Sequence, residues 1–127
     1  MLRAAALAVL LALAAAAPAS ADDMVRFTTP SKKIACAYMP AIEDFPASLR
    51  CDLFFRNDTA VFLKHKGKAK LGRVTDTVAE PGEPVLAYGK TWSHGGFTCL
   101  SKAIGLRCRS KTSGHGFFVS RQKISLY

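Results

Sequence analysis

Four cysteines, three histidines and a run of lysines are the residues of this 127-residue chain whose types and spacing bear on chemistry. Cys36, Cys51, Cys99 and Cys108 show no Cys-x-x-Cys spacing, and no histidine pairs with one of them at ligand distance. They therefore read as disulfides rather than a zinc site, and no metal or cofactor is expected. His65, His94 and His115 are scattered. Ser113 or Ser120 beside His115 offers a serine–histidine pair, but no strand–turn–helix elbow surrounds either serine. Gly89-Lys90-Thr91 imitates the end of a phosphate loop, yet six residues, one a proline, separate it from Gly82 where that loop takes four. Glu43-Asp44 and Glu80/Glu83 fall in proline-rich loops, where solvated charge is the default. No catalytic residue is assigned, and the chain reads as a binder rather than an enzyme.

Two surfaces remain as binding candidates. Lys64, Lys66, Lys68 and Lys70 alternate with other residues around Gly67, with Arg73 beyond. This is the pattern of a charged hairpin tip, and Arg107, Arg109 and Lys111 form a second outward set. Such cations suit phosphate- or carboxylate-bearing polymers of a cell envelope, although a basic loop can equally keep an edge strand soluble. Nucleic acid is a minor reading, because aromatics for stacking are not interleaved with the lysines and Phe62 reads as core. The other surface gathers Trp92, His94, Ser113, His115 and Arg121 near Gly95-Gly96 and Gly114. Glycines there would let the backbone approach a partner closely. The structural alternative makes Trp92 core, the glycines turns, and Arg121 a partner of Asp76. A functional role would resemble the loop insertion of periplasmic lysozyme inhibitors, an analogy of size and compartment only.

The elements that position these residues read as β. Ile34, Cys36 and Tyr38 alternate with alanines, and Leu49, Cys51, Leu53 and Phe55 alternate with Arg50 and Asp52. Phe97 and Cys99, then Ile104, Leu106 and Cys108, repeat the pattern. A period of two puts the cysteines on the apolar face and the arginines on the other. Val74–Val78, Val85–Tyr88, Phe117–Val119 and Ile124–Tyr127 are further strand candidates, with proline and glycine turns between them. About seven or eight short strands predict an all-β fold, a small antiparallel sandwich or barrel. Ser48-Leu49-Arg50-Cys51 echoes Gly105-Leu106-Arg107-Cys108, and each follows an earlier cysteine. Facing cysteines on neighbouring strands lie within disulfide range, so the expected pairs are Cys36–Cys51 and Cys99–Cys108.

The N-terminus carries Arg3, an apolar Ala/Leu run from Ala4 to Ala17, Pro18 and then Ala19-Ser20-Ala21. This is the layout of a secretory signal cut after Ala21, too short in its apolar part for a membrane span. The expected mature protein is one domain, residues 22–127, periplasmic or secreted, in a compartment where disulfides persist. Arg3 is the sole charge lost with the leader, which takes the formal net charge from +9 to +8.

Several segments carry a resemblance. They are Phe27-Thr28-Thr29-Pro30-Ser31 running into Ile34-Ala35-Cys36, Asp76-Thr77-Val78, and Pro84 through Trp92. Gly95-Gly96-Phe97-Thr98-Cys99, Gly105-Leu106-Arg107-Cys108, and Ser113-Gly114-His115-Gly116-Phe117 to Ser120-Arg121 continue it. Together they resemble a family of small exported bacterial domains of unknown function, found in alphaproteobacteria and actinobacteria. The likeness covers most of residues 27–127; the stretch from Arg56 to Arg73 departs from it. It implies export, disulfides and a β-rich domain, and no activity. The expected partners are an anionic envelope polymer or, alternatively, a periplasmic protein.

Overall fold

The computed structural model describes residues 23–127 and, of the N-terminal segment, residues 4–6, 8, 9 and 12. The signal-peptide reading and its cut after Ala21 otherwise lie outside the described residues. Among those residues no helix forms and ten strands do: β1 Val25–Thr28, β2 Ile34–Met39, β3 Ser48–Leu53, β4 Thr59–Lys64, β5 Lys70–Arg73, β6 Thr91–His94, β7 Phe97–Lys102, β8 Gly105–Ser110, β9 Gly116–Val119 and β10 Ile124–Leu126. They make two antiparallel meanders, β1 to β5 in sheet 1 and β6 to β10 in sheet 2, each in chain order. The count is ten rather than seven or eight, and neither sheet closes into a barrel.

The two sheets follow the same plan. Across sheet 1 one inner-face row runs Phe27, Cys36, Cys51, Val61, Leu71, and across sheet 2 its counterpart runs Trp92, Cys99, Cys108, Phe117, Leu126. Both disulfides therefore join directly opposed residues of the second and third strands, Cys36–Cys51 and Cys99–Cys108, with Cα atoms 4.1 Å apart in each. All four cysteines are consumed. The inner faces pack into one core, with Phe27 tilted against Trp92 at 4.9 Å between ring centroids and Leu49, Leu63, Leu106 and Val119 fully buried. The Leu-Arg-Cys echo is thus the central strand of each meander, β3 and β8.

Two strand expectations fail for an identifiable reason. Val74–Val78 is rich in valine and threonine, yet it forms no ladder, because its polar groups turn to side chains of sheet 1. The Val78 N–H and the Thr77 hydroxyl both donate to Asp52 at 2.9 Å. Val85–Tyr88 makes only a parallel bridge of Val85 to Thr28. Residues 74–90 are instead a strap that leaves β5, crosses the outer face of sheet 1 and enters β6. Its seat is made by Ala35, Ala37 and Ala60, whose small side chains are fully covered.

Arg50 and Asp52, two residues apart on β3, share that outer face and are almost fully buried under the strap. The Arg50 guanidinium donates to Asp52 at 2.7 Å and to the Asp76 carboxylate at 2.9 Å, and it lies over the Phe62 ring. Burial works against the charged guanidinium, but the bonds to Asp52 and Asp76 outweigh it and hold its pKa above the ordinary value. Arg26 adds a bond to the Val78 carbonyl at 2.9 Å. Asp76 is therefore the partner of Arg50 rather than Arg121. Phe62 also departs from its core assignment: Val61 and Leu63 face inward, which turns Phe62 outward against Arg50 and Gly72.

Candidate anion-binding surface

The alternation of β4 and β5 fixes where the lysines go. Leu63 is buried, so Lys64 is outward. Lys70 stands opposite Phe62, also on the outer face, and Lys66 and Lys68 occupy the exposed tip around Gly67. Arg73 is separated from them. It ends β5 at the opposite end of the strand, pairs with Thr59 and makes an exposed ion pair with Asp58 at 3.8 Å. The candidate cations that share this tip are thus the four lysines without Arg73.

The lysine tip is held by the histidine inside it. His65 stacks on Phe97, centroids 4.1 Å apart, and its Nε2 meets the Gly95 carbonyl at 2.9 Å while Nδ1 meets the Ser110 hydroxyl at 2.7 Å. A carbonyl only accepts, so Nε2 carries the proton and Nδ1 accepts from Ser110. Ser110 in turn receives the Thr112 hydroxyl at 3.0 Å and the Ser113 N–H at 3.4 Å. This network ties the β4–β5 tip of sheet 1 to the 95–96 and 111–115 loops of sheet 2. Gly96 is required beneath it, because a Cβ there would stand 2.8 Å from the His65 ring, and Gly95 in the same way makes room for Tyr38. These glycines admit side chains of the protein itself rather than a partner. Because Ser110 is fully buried, its close histidine contact serves as a clasp and not as an exposed nucleophile.

The clasp places the lysine tip at the end of sheet 2 that carries Arg109 and Lys111. The Ala69 N–H also reaches the Tyr127 carbonyl, at 3.4 Å, so the tip borders the last strand of that sheet. The outer face of sheet 2 then continues the surface. Leu106, Cys108 and Ser110 are buried, which sends Arg107 and Arg109 outward. Arg107 lies 5.3 Å over the Phe118 ring and donates to the Tyr127 hydroxyl at 3.2 Å. Thr98 and Leu100 flank the two arginines on β7. Among the described residues no strap covers this face.

Charge follows the same division. From Pro84 to the C-terminus there are seven lysines and arginines and no aspartate or glutamate, whereas residues 22–83 hold ten and nine. A count by halves exposes this asymmetry in the sequence. The roles of His65 and Tyr127 depend on partners 20 to 47 residues away and that of Phe118 on Arg107 across the β8–β9 pair, so spacing does not reveal them.

The second candidate set does not assemble. Trp92 and His94 lie on the inner face of β6, against Phe27 and Tyr38. Ser113 and His115 sit in the β8–β9 loop, where the Ser113 hydroxyl accepts the His115 backbone N–H at 3.3 Å and the two side chains are not bonded. Arg121 is exposed in the β9–β10 turn at the far end of the molecule, beside Ser120, whose hydroxyl accepts the Lys123 N–H at 3.0 Å. No common surface joins these five residues.

Fold and surface together define a small disulfide-stapled protein of two β-meanders, with one outer face strapped and the other open and cationic. The chain belongs to a family of unknown function, DUF6636, whose model matches residues 43–127. The match begins in the β2–β3 loop, so β1 and β2 of the same sheet, with Cys36, precede it. No curated protein and no solved structure matches the chain.

Proposed function

We propose that the protein is an exported bacterial binding module that holds an anionic envelope polymer across the open face of sheet 2 and the adjoining lysine tip. The observation that carries this reading is the pairing of an uncovered sheet face with a segment, residues 84–127, that holds no aspartate or glutamate. Arg107 and Arg109 are spaced along β8, and Arg107 is braced by Phe118 and Tyr127, so its guanidinium plane is presented with reduced freedom. A polymer bearing repeated phosphates or carboxylates meets several such cations at once and releases its counterions on binding. Export is supported by the two disulfides, which persist in oxidising compartments. Neither the Ser113 nor the Ser120 side chain bonds to the His115 imidazole, so a hydrolase reading of that pair has no geometric support.

Retention on immobilised heparin and on lipopolysaccharide, followed over a salt series, tests the proposal. The wild-type protein is expected to elute at a salt concentration that falls on Arg107→Ala/Arg109→Ala and falls again with Lys66→Ala/Lys68→Ala. The slope of log affinity against log salt should lose about one unit for each cation that contacts the polymer. Elution unchanged in the fourfold variant would sink the assignment. Arg73→Ala serves as the control and leaves retention nearly unaltered.

A further inference from the structure

The geometry points to head-to-tail self-association, in which the β2–β3 turn of one copy seats in the groove at the opposite end of the next. The turn is stiff and apolar. Ile42 and Phe45 exchange two backbone hydrogen bonds, at 3.0 and 2.8 Å, and Pro40 and Pro46 flank them. A tip of two residues leaves both large side chains in water, Ile42 63 % and Phe45 76 % exposed. Glu43 and Asp44 between them enter none of the ion pairs among the described residues. Exposed at the tip, the two carboxylates are open to a cation from another molecule.

The complement lies at the other end of the sandwich. A groove of about 250 Å³ opens there between the sheets, with Phe55, Tyr88 and Ile104 as apolar lining and Lys33, Lys102 and Arg121 around them. Ile104 is 71 % and Tyr88 49 % exposed, and none of the three cations is ion-paired among the described residues. Apolar side chains with two negative charges thus face an apolar groove with three positive ones. The six residues of β2 separate turn from groove by roughly 20 Å, so a molecule cannot satisfy its own pair. A second copy can. Because the two surfaces differ, the contact is heterologous and repeats into a chain or ring. The contact is small, so assembly depends on concentration.

Sedimentation at physiological ionic strength, over a range of protein concentrations and with both disulfides intact, tests this. The wild-type protein is expected to grow beyond a dimer as concentration rises. A turn variant, Phe45→Ser/Asp44→Lys, and a groove variant, Ile104→Ser/Arg121→Glu, should each lose association while keeping the wild-type near-ultraviolet spectrum. All four positions are exposed, so folding is spared. Mixed, the two variants retain one good turn and one good groove and form a capped heterodimer that grows no further. A wild-type protein that stays monomeric throughout, or either variant associating as the wild type does, overturns the inference. So does growth beyond a dimer in the mixture.

Discussion

Asp52→Ala is expected to destabilise the protein by about 3–5 kcal/mol, because it leaves the buried Arg50 without its nearest charge partner. Asp52 is doubly committed: it holds the guanidinium, and it receives the Thr77 hydroxyl and the Val78 N–H of the strap. Its removal therefore also frees strap donors that have no other partner on that face. The denaturant midpoint should fall, and limited proteolysis should open first within residues 74–80. Arg50→Met/Asp52→Leu is the informative companion, since deleting both charges costs far less than deleting one. An Asp52→Ala protein as stable as the wild type, with an intact strap, would refute the anchoring role of Asp52. Acid acts on the same structure. The Asp76 carboxylate is held below its ordinary pKa of 3.8 by the hydrogen bond and the charge of Arg50. Its contribution is complete above the unfolded value and is lost as the pH falls through the lower folded one. The difference in melting temperature between wild type and Asp76→Asn should accordingly shrink below about pH 4. A difference that is the same at neutral and acid pH would count against the pairing.

Loss of the disulfides is the other large effect. The bridges close loops of 15 and 9 residues, so each constrains the unfolded chain by about 2.5–3 kcal/mol. Together they approach the whole stability of an ordinary domain, about 5–15 kcal/mol. Cys36→Ala/Cys51→Ala and Cys99→Ala/Cys108→Ala are each expected to lower the denaturant midpoint markedly, with the first pair costing slightly more. The fourfold variant should be largely unfolded at physiological temperature. Because the bridges occupy equivalent places in different sheets, the two losses should be close to additive. Retention of a wild-type midpoint on full reduction would contradict this.

The strands that sequence reading identifies are those whose two faces carry side chains of different size or polarity. β2, β3, β7 and β8 alternate cleanly, and their cysteines mark the inner side. β4 hides its period, because Ala60-Val61-Phe62-Leu63 is apolar on both faces; Arg50 and Gly72 make the outer one hospitable to Phe62. β1, β5 and β6 are only four residues long, too short to show a period. The strap misleads in the other direction. Val74-Thr75-Asp76-Thr77-Val78 has strand composition, but its hydrogen bonds go to Asp52 rather than to a neighbouring strand. Of the candidate surface, the lysine tip and the outward arginines of β8 are legible from spacing. Their union is not, because it is made by His65 reaching Gly95 and Ser110 across the two sheets.

The matching inner rows of the two meanders carry a consequence for how the molecule uses its outside. Two identical meanders packed through those rows would form a twofold-symmetric dimer, and symmetry would oblige its two outer faces to be alike. Joining the halves in one chain lifts that obligation. The joining segment itself then supplies the difference: it lies over alanines on one side and leaves arginines bare on the other. Sidedness in this protein is a product of covalent continuity, with the connection acting as the mark that distinguishes front from back.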